Sequence, residues 1–212
     1  MSVHVYDRWA PTYDRVWRRY TDATLDYLLD VLDLTSVGDV LDVGCGTGAL
    51  LERLRHRLPQ TRLAGIDTSA EMLRIARQRL VGAEVRLAVG PAERVLCANE
   101  SLDLVTMASM LHYVPRLSLA LGEARRVLRP GGTVAIIDYL PRGLHGSVAD
   151  GLLRLYDRGH VRSLRLPDIE VALRAVGFDV TYSAMFPISR IFRGVCVLGV
   201  KADTRAGIVR HV

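Results

Sequence analysis

The chain has 212 residues, of which 50% are hydrophobic and 24% are charged, and its formal net charge is +5. These fractions are typical of a globular protein and exclude disordered, collagen-like and disulfide-rich chains, and no apolar run reaches the roughly 20 residues of a membrane-spanning helix. The 28 basic residues are spread along the sequence without a clustered run, so no nucleic-acid partner is expected.

Short apolar segments alternate with amphipathic ones, which predicts alternating strands and helices. Two helical segments are expected in residues 1–34, and further helices at 49–58, 70–80, 117–128, 148–156 and, opened by Pro167 and closed by Gly177, at 167–176. Strands are predicted at 40–43, 62–66, 84–89, 102–107, 133–138, 178–184 and 191–200, the last two as a hairpin, with a turn at 129–132. This alternation predicts an α/β fold with a largely parallel sheet, as a single domain over residues 1–212.

The segment Val-Leu-Asp-Val-Gly-Cys-Gly-Thr-Gly at residues 40–48 is the most informative one in the sequence. Glycines between a strand and a helix let the backbone turn sharply and allow a ligand to approach closely. Gly44, Gly46 and Ala49 also match the dinucleotide-binding pattern, so a nicotinamide-dependent oxidoreductase stays open beside a purely structural turn.

Two carboxylates support a ligand site near this loop. Asp67 ends the next predicted strand about twenty residues on, where a carboxylate can accept hydrogen bonds from both ribose hydroxyls of an adenosine-type ligand. Asp42 lies inside an apolar strand, and because burial of a carboxylate is costly, it is expected to have a polar partner or a function.

Three widely spaced cysteines predict reduced thiols and no metal site, since no Cys-x-x-Cys spacing or His-rich neighbour accompanies them. The first residues lack the pattern of an export signal, which favours a cytoplasmic protein.

Five segments, taken in order, resemble the class I S-adenosylmethionine-dependent methyltransferases, in particular the group similar to the ubiquinone/menaquinone C-methyltransferases. The resemblance covers nearly all of the chain. It is carried by Tyr-Asp-Arg-Trp-Ala-Pro-Thr-Tyr-Asp at 6–14, the glycine segment at 40–48, Gly-Ile-Asp-Thr-Ser-Ala-Glu-Met-Leu at 65–73, Ser-Met-Leu-His-Tyr-Val at 109–114 and Arg-Val-Leu-Arg-Pro-Gly-Gly at 126–132.

The resemblance implies a Rossmann-like, doubly wound sheet of seven strands whose last strand is antiparallel, with helices on both faces. It implies S-adenosyl-L-methionine as cofactor and S-adenosyl-L-homocysteine as product. Asp42 and the glycine loop would face the methionine part, Asp67 the ribose, Ala92 the adenine and Ala108 the amino-acid end. The implied cofactor-binding residues are Tyr13, Asp42, Gly44, Cys45, Gly46, Thr47, Gly48, Asp67, Thr68, Met72, Ala92, Glu93 and Ala108.

One position departs from the family pattern. The family often has an acidic or amide residue before Ala92 to recognise the adenine amino group, whereas this chain has Pro91. Glu93 or backbone groups would then supply that hydrogen bond, or cofactor affinity is weakened.

The expected reaction is in-line transfer of a methyl group to a small-molecule or lipid acceptor. A general base is needed only where the acceptor must lose a proton, and the predicted catalytic residues are His112, Tyr113 and Asp138. Residues 1–36 are expected to form a lid and residues 139–166 to shape the acceptor pocket. Arg15, Arg18 and Arg19 leave a peripheral membrane contact open. A non-catalytic nucleoside-binding or regulatory protein is the remaining alternative, and the oligomeric state stays open.

Overall fold

The structure, a computed structural model, describes residues 3–141, 151, 164–190 and 192–203. The helices of this part are α1 (Val3–Val31), α2 (Ala49–Arg57), α3 (Ala70–Arg79), α4 (Leu117–Val127) and α5 (Leu166–Ala175), with a short 3₁₀ turn at Leu111–Tyr113. The strands are β1 (Asp39–Val43), β2 (Arg62–Asp67), β3 (Val85–Val89), β4 (Leu102–Ala108), β5 (Leu128–Pro141), β6 (Phe178–Pro187) and β7 (Phe192–Lys201).

Within the described residues, these strands form one seven-stranded sheet in the order β3-β2-β1-β4-β5-β7-β6. Strands β1 to β5 pair in parallel, and β7 is antiparallel to both β5 and β6. The predicted doubly wound, mostly parallel sheet with an antiparallel last strand is therefore confirmed. The chain reverses its strand order between β1 and β4, which is where open α/β sheets place their ligands.

Two groups of buried side chains lie on opposite faces of the sheet. Consecutive residues of a strand point to opposite faces, and Val40 and Leu41 of β1 accordingly belong to different groups. One group includes Leu121 of α4 and Leu173 of α5, while the other includes residues of α1, α2 and α3. Every residue of β1 is buried, and three of its five residues, Val40, Leu41 and Val43, are apolar.

The prediction of two helical segments in residues 1–34 is wrong, because a single helix runs from Val3 to Val31 with Pro11 inside it. Proline has no N–H, so the carbonyl of Asp7 loses its helical partner at this point. Tertiary contacts hold the parts of α1 before and after Pro11 in one continuous helix. Leu28 and its neighbours are buried in the core, and Asp7 accepts a hydrogen bond from Ser69 Oγ at 2.6 Å.

The turn predicted at 129–132 lies inside β5 as an irregularity in its pairing with β4, where Leu102 pairs with Leu128 and Leu104 with Thr133. Gly131, with a φ of 79°, provides the left-handed conformation that this bulge requires. The helix predicted at 148–156 and most of the predicted acceptor-shaping segment at 139–166 lie outside the described residues. In the part of the chain that is described, no helix combines the length and the apolar character needed to cross a membrane.

Candidate active site

A cavity of about 420 Å³ lies at the carboxyl ends of the central strands, bordered by the loops that follow β1, β2, β3 and β4 and by α1. Most of the residues predicted to bind the cofactor line it. They are Tyr13, Asp42, Gly44, Cys45, Gly46, Thr47, Asp67, Thr68, Met72, Ala92, Glu93 and Ala108. The topology therefore brings together segments that are separated by up to about a hundred residues in the chain.

The glycine loop is shaped by three residues with positive φ, namely Gly44 at 70°, Gly46 at 52° and Gly48 at 80°. A Cβ at Gly44 would lie 2.8 Å from the Cβ of Met110, so this position has no room for a side chain. A Cβ at Gly46 would meet no atom within 4 Å, because this residue borders the open cavity. Gly48 is the predicted cofactor-binding residue that does not line the cavity, and a Cβ there would lie 3.1 Å from Ala76 of α3.

Asp42 is a buried carboxylate in the cavity wall. Its side chain is 2% exposed and accepts a hydrogen bond from Thr106 Oγ1 at 2.7 Å. Burial raises the pKa of Asp42 to about 7, the bond from Thr106 opposes this rise, and the charge of Asp67 adds to it. A cation in the cavity would favour the ionised form of this carboxyl group.

Asp67 joins the glycine loop to the start of α3. Its Oδ2 accepts from the N–H of Gly46 at 2.9 Å, and its Oδ1 accepts from the N–H of Ser69 at 2.8 Å. Burial raises the pKa of Asp67, although backbone hydrogen bonds, that from Ser69 first among them, oppose the rise. Each carboxylate oxygen has two lone pairs, so Asp67 can still accept hydrogen bonds from a ligand.

Helix α1 closes one side of the cavity through Asp14, which the sequence analysis missed. Asp14 accepts from Thr47 Oγ1 at 2.7 Å and from Arg79 Nη2 at 2.5 Å, and Arg79 also donates to the carbonyl of Thr47 at 3.0 Å. These bonds tie α1 to the glycine loop and to α3. The motif at 6–14 contains Asp14, but only the tertiary structure shows which side chains it faces.

Of the three predicted catalytic residues, one lines the cavity and two are buried behind its wall. Tyr113 lines the cavity, whereas His112 and Asp138 do not. The side chains of His112 and Asp138 are each 7% exposed, and His112 Nδ1 lies 2.9 Å from Asp138 Oδ1. Asp138 also accepts from the backbone N–H groups of Leu111 at 3.2 Å and Tyr139 at 2.8 Å, so this pair is held in a fixed orientation behind Tyr113.

Ser109, directly after β4, has a conformation that the sequence gives no sign of. Its φ is 54°, which is unfavourable for a residue with a Cβ, and its hydroxyl lies 2.6 Å from the hydroxyl of Tyr20. Burial raises the pKa of Tyr20 well above its ordinary value, so this phenol stays protonated. Strained residues of this kind are concentrated at functional sites, and Ser109 lines the cavity.

Comparison with known proteins finds methyltransferases that are similar to this chain. A family model described as a methyltransferase domain matches residues 41–136. The ubiquinone/menaquinone biosynthesis C-methyltransferase UbiE of Geotalea daltonii is 30% identical over 151 residues, which cover 64% of this chain and 61% of the relative. The trans-aconitate 2-methyltransferase of Pseudomonas paraeruginosa is 35% identical over 127 residues, which cover 60% of this chain and 45% of the relative. The chain thus spans less than two thirds of the length of these curated relatives.

A solved structure extends the likeness to the fold of nearly the whole chain. It belongs to the complex between the Haloferax volcanii Trm112 methyltransferase activator and a methyltransferase, and it matches with a TM-score of 0.82 at 20% identity over 93% of this chain and 98% of that one. Over these residues the chain is similar to the class I S-adenosylmethionine-dependent methyltransferases. This similarity favours the methyltransferase interpretation of the glycine loop over the oxidoreductase one.

The charges of the cavity fit the cofactor that the family resemblance implies. The carboxylates of Asp14, Asp42, Asp67 and Glu93 line it, and Arg116 is the one basic side chain among its described lining residues. S-adenosylmethionine carries a sulfonium and an ammonium group against one carboxylate, so its net charge is opposite to that of this wall. Over the described residues, no group of three or more His, Cys, Asp and Glu side chains could hold a metal ion.

Proposed function

We propose that this chain is a methyltransferase, which transfers the methyl group of S-adenosylmethionine to a small-molecule or lipid acceptor. The observation that carries the proposal is the acid-lined cavity between the glycine loop and Asp67. A positively charged ligand would gain attraction from these carboxylates, whereas the two phosphates of a dinucleotide would be repelled by them. The same charges therefore disfavour the oxidoreductase alternative on physical grounds.

In this proposal, the chain binds and orients the cofactor, whose sulfonium supplies the activated methyl group. Asp67 accepts hydrogen bonds from the ribose hydroxyls, and the side-chain-free backbone at Gly46 allows close approach to the methionine part. Asp42 provides negative charge near the cationic methionine part of the cofactor. Tyr13 lines the cavity and presents an aromatic ring, which can stabilise a sulfonium by a cation–π contact worth roughly 0.5–2 kcal/mol.

We assign His112, Tyr113 and Asp138 to proton uptake from acceptors that must lose a proton. Tyr113 is the member of this group that lines the cavity, and Asp138 fixes the Nδ1 side of the His112 ring behind it. Replacement of His112 by Ala is expected to lower kcat by about 10²-fold for a hydroxylated acceptor and to leave kcat for a tertiary amine unchanged. His56→Ala, which removes an exposed histidine of α2, is the matched control.

The decisive experiment has a binding part and a turnover part. Calorimetry with S-adenosylhomocysteine and with NAD should show binding of the first and no binding of the second. Formation of S-adenosylhomocysteine from S-adenosylmethionine is then measured with a panel of quinol, carboxylic acid, amine and phenol acceptors, because one curated relative is named for ubiquinone/menaquinone biosynthesis and another for trans-aconitate. Binding without turnover on any acceptor would favour a non-catalytic nucleoside-binding protein.

A lipid acceptor is favoured by the surface of α1. Trp9 is 43% exposed and Val16 is 54% exposed, and exposed Arg15 and Arg19 lie on the same helix. Apolar side chains next to arginines are typical of a helix that lies on an anionic membrane surface. Sedimentation with vesicles of phosphatidylglycerol at low salt should bind the protein, and the Trp9→Ser variant should bind less. Equal recovery in the supernatant with and without vesicles would contradict this form of the proposal.

A further inference from the structure

Ser109 lies at the cavity in a backbone conformation that residues with a side chain rarely adopt. Its φ is 54°, and in the described part of the chain the one other non-glycine residue with a positive φ is Glu100. Glycine adopts this conformation without cost, so local backbone preference does not explain a serine here. The N–H of Ser109 donates to the carbonyl of Ile137 at 2.7 Å, which fixes the residue to β5.

Tyr20 of α1 holds the side chain of Ser109. Their hydroxyl oxygens lie 2.6 Å apart, within hydrogen-bond distance. The Tyr20 ring makes edge-to-face contacts with Trp17 and Tyr139, with ring centroids 6.1 Å and 6.0 Å apart. Burial, followed by the charge of Asp138, raises the pKa of Tyr20 well above its ordinary value, so the phenol keeps its proton. Packing thus fixes a protonated phenol beside Ser109.

The two hydroxyl groups carry two protons, and only one of these lies between the oxygens. Ser109 lines the cavity, whereas Tyr20 is not among the described residues that line it. If Ser109 donated, no other described residue would accept the phenol proton of Tyr20, and a desolvated hydroxyl without a partner is costly. Donation from Tyr20 to Ser109 avoids this cost and leaves the serine proton for a group in the cavity.

The sheet separates Ser109 from the proposed cofactor contacts. Gly46 and Asp67 lie at the carboxyl ends of β1 and β2, while Ser109 follows β4, which pairs with the other side of β1. With the ribose at Asp67 and the methionine part at Gly46, the side of the cavity that remains for the methyl acceptor is the one formed after β4.

The cavity wall after β4 has hydrogen-bond donors and no acidic side chain among its described residues. Its polar side chains are those of Ser109, Tyr113 and Arg116. The acidic lining residues belong instead to α1, β1, β2 and the loop after β3. Hydroxyl donors together with one guanidinium complement a carboxylate, which only accepts hydrogen bonds and carries the opposite charge.

We propose that Ser109 donates a hydrogen bond to a carboxylate of the methyl acceptor and thereby selects acidic acceptors, with Tyr20 as the positioning residue that orients its proton. The inference rests on the proposed function, because it requires a methyl acceptor on the β4 side of a bound cofactor. The hydrogen bond takes no part in bond making. A lone pair of the acceptor forms the bond to the methyl carbon, and the electron pair of the carbon–sulfur bond passes to the sulfur.

The test compares two phenols that differ in the charge of their second group, 4-hydroxybenzoate and 4-hydroxybenzylamine, with S-adenosylmethionine as methyl donor. A hydrogen bond to a charged group should give the benzoate a kcat/KM about 10- to 100-fold above that of the amine.

The double variant Tyr20→Phe/Ser109→Gly removes both hydroxyl groups, so that neither is left without a partner, and places at position 109 the residue that favours a φ of 54°. Its midpoint of thermal unfolding should equal or exceed that of the parent. The KM for 4-hydroxybenzoate should rise about 10-fold, while kcat, the KM for the amine and the calorimetric affinity for S-adenosylhomocysteine stay unchanged. A merely structural role would not separate these quantities.

Two controls match the two halves of this variant. Tyr27→Phe removes a phenol hydroxyl of the same helix that lies 2.7 Å from the hydroxyl of Tyr182, and Tyr27 is not one of the residues that line the cavity. Glu100→Gly relieves a φ of 50° before the amino end of β4. Both controls should keep the KM for 4-hydroxybenzoate.

An unchanged KM for 4-hydroxybenzoate in the double variant would overturn the inference, also where the affinity for S-adenosylhomocysteine falls, which would assign Ser109 to the cofactor. Equal or better use of the amine would overturn it too, as would no turnover of either phenol while another acceptor of the panel reacts. All of these results leave the proposed function standing. Absence of turnover on every acceptor of the panel would instead refute the proposed function itself.

Discussion

The buried carboxyl group of Asp42 is expected to cost the ligand-free protein stability at neutral pH. Its side chain is 2% exposed, and its pKa is raised to about 7, chiefly by burial. The difference from an ordinary aspartate pKa near 4 corresponds to roughly 4 kcal/mol. Asn has nearly the same shape and can still accept the hydrogen bond from Thr106, but it carries no charge. Asp42→Asn should therefore stabilise the fold.

The raised pKa of Asp42 makes the stability of the fold depend on pH. The folded state holds the proton of Asp42 more tightly than the unfolded state does. The contribution of protonated Asp42 to the free energy of unfolding is fully present below about pH 4. It is lost as the pH rises through about 7. The variant should thus be more stable than the parent by about 1–2 kcal/mol at about pH 5 and by up to about 4 kcal/mol at about pH 8.

Urea unfolding of the ligand-free proteins at these two pH values measures the difference. Asp39→Asn on the same strand is the control with the opposite sign, because hydrogen bonding from Arg62, the largest cause, lowers the pKa of Asp39. Loss of the Asp39 charge should lower the free energy of unfolding at both pH values. A free energy of unfolding for Asp42→Asn that is equal to or below the parent's at about pH 8 would refute the reasoning. The variant should also bind S-adenosylmethionine more weakly, since the cation loses its counter-charge.

Three further substitutions test other parts of the site. Gly44→Ala places a Cβ 2.8 Å from Met110 on a residue with a φ of 70°, and should cost about 1–3 kcal/mol in thermal or urea unfolding; an equally stable variant would contradict the geometry. Asp67→Ala should weaken calorimetric binding of S-adenosylhomocysteine by about 1–3 kcal/mol, and unchanged affinity would remove this residue from the site. Asp14→Asn loses the charge that pairs with Arg79, so hydrogen exchange in the first half of α1 should accelerate roughly fivefold; unchanged rates would show that this pair does not hold the helix.

The sequence was sufficient for the fold class, and the family resemblance supplied most of the residues that line the cavity. Parallel strands that are buried on both faces read as short apolar runs, and glycines mark the sharp turn after β1, so the fold class and the glycine loop could be predicted. The continuous α1 could not, because Pro11 argues locally for a break. Packing of Leu28 and the contact of Asp7 with Ser69 outweigh the one hydrogen bond that the proline removes.

The sequence by itself determined the type of fold, the position of the glycine loop and the presence of carboxylates near it, because these follow from local periodicity and from residue type. Only the tertiary structure decided what each carboxylate does. It buried Asp42 against Thr106, tied Asp14 to Thr47 and placed Glu93 in the cavity wall. Charge state and hydrogen-bond availability depend on distances between residues far apart in the chain, and no local pattern encodes those distances.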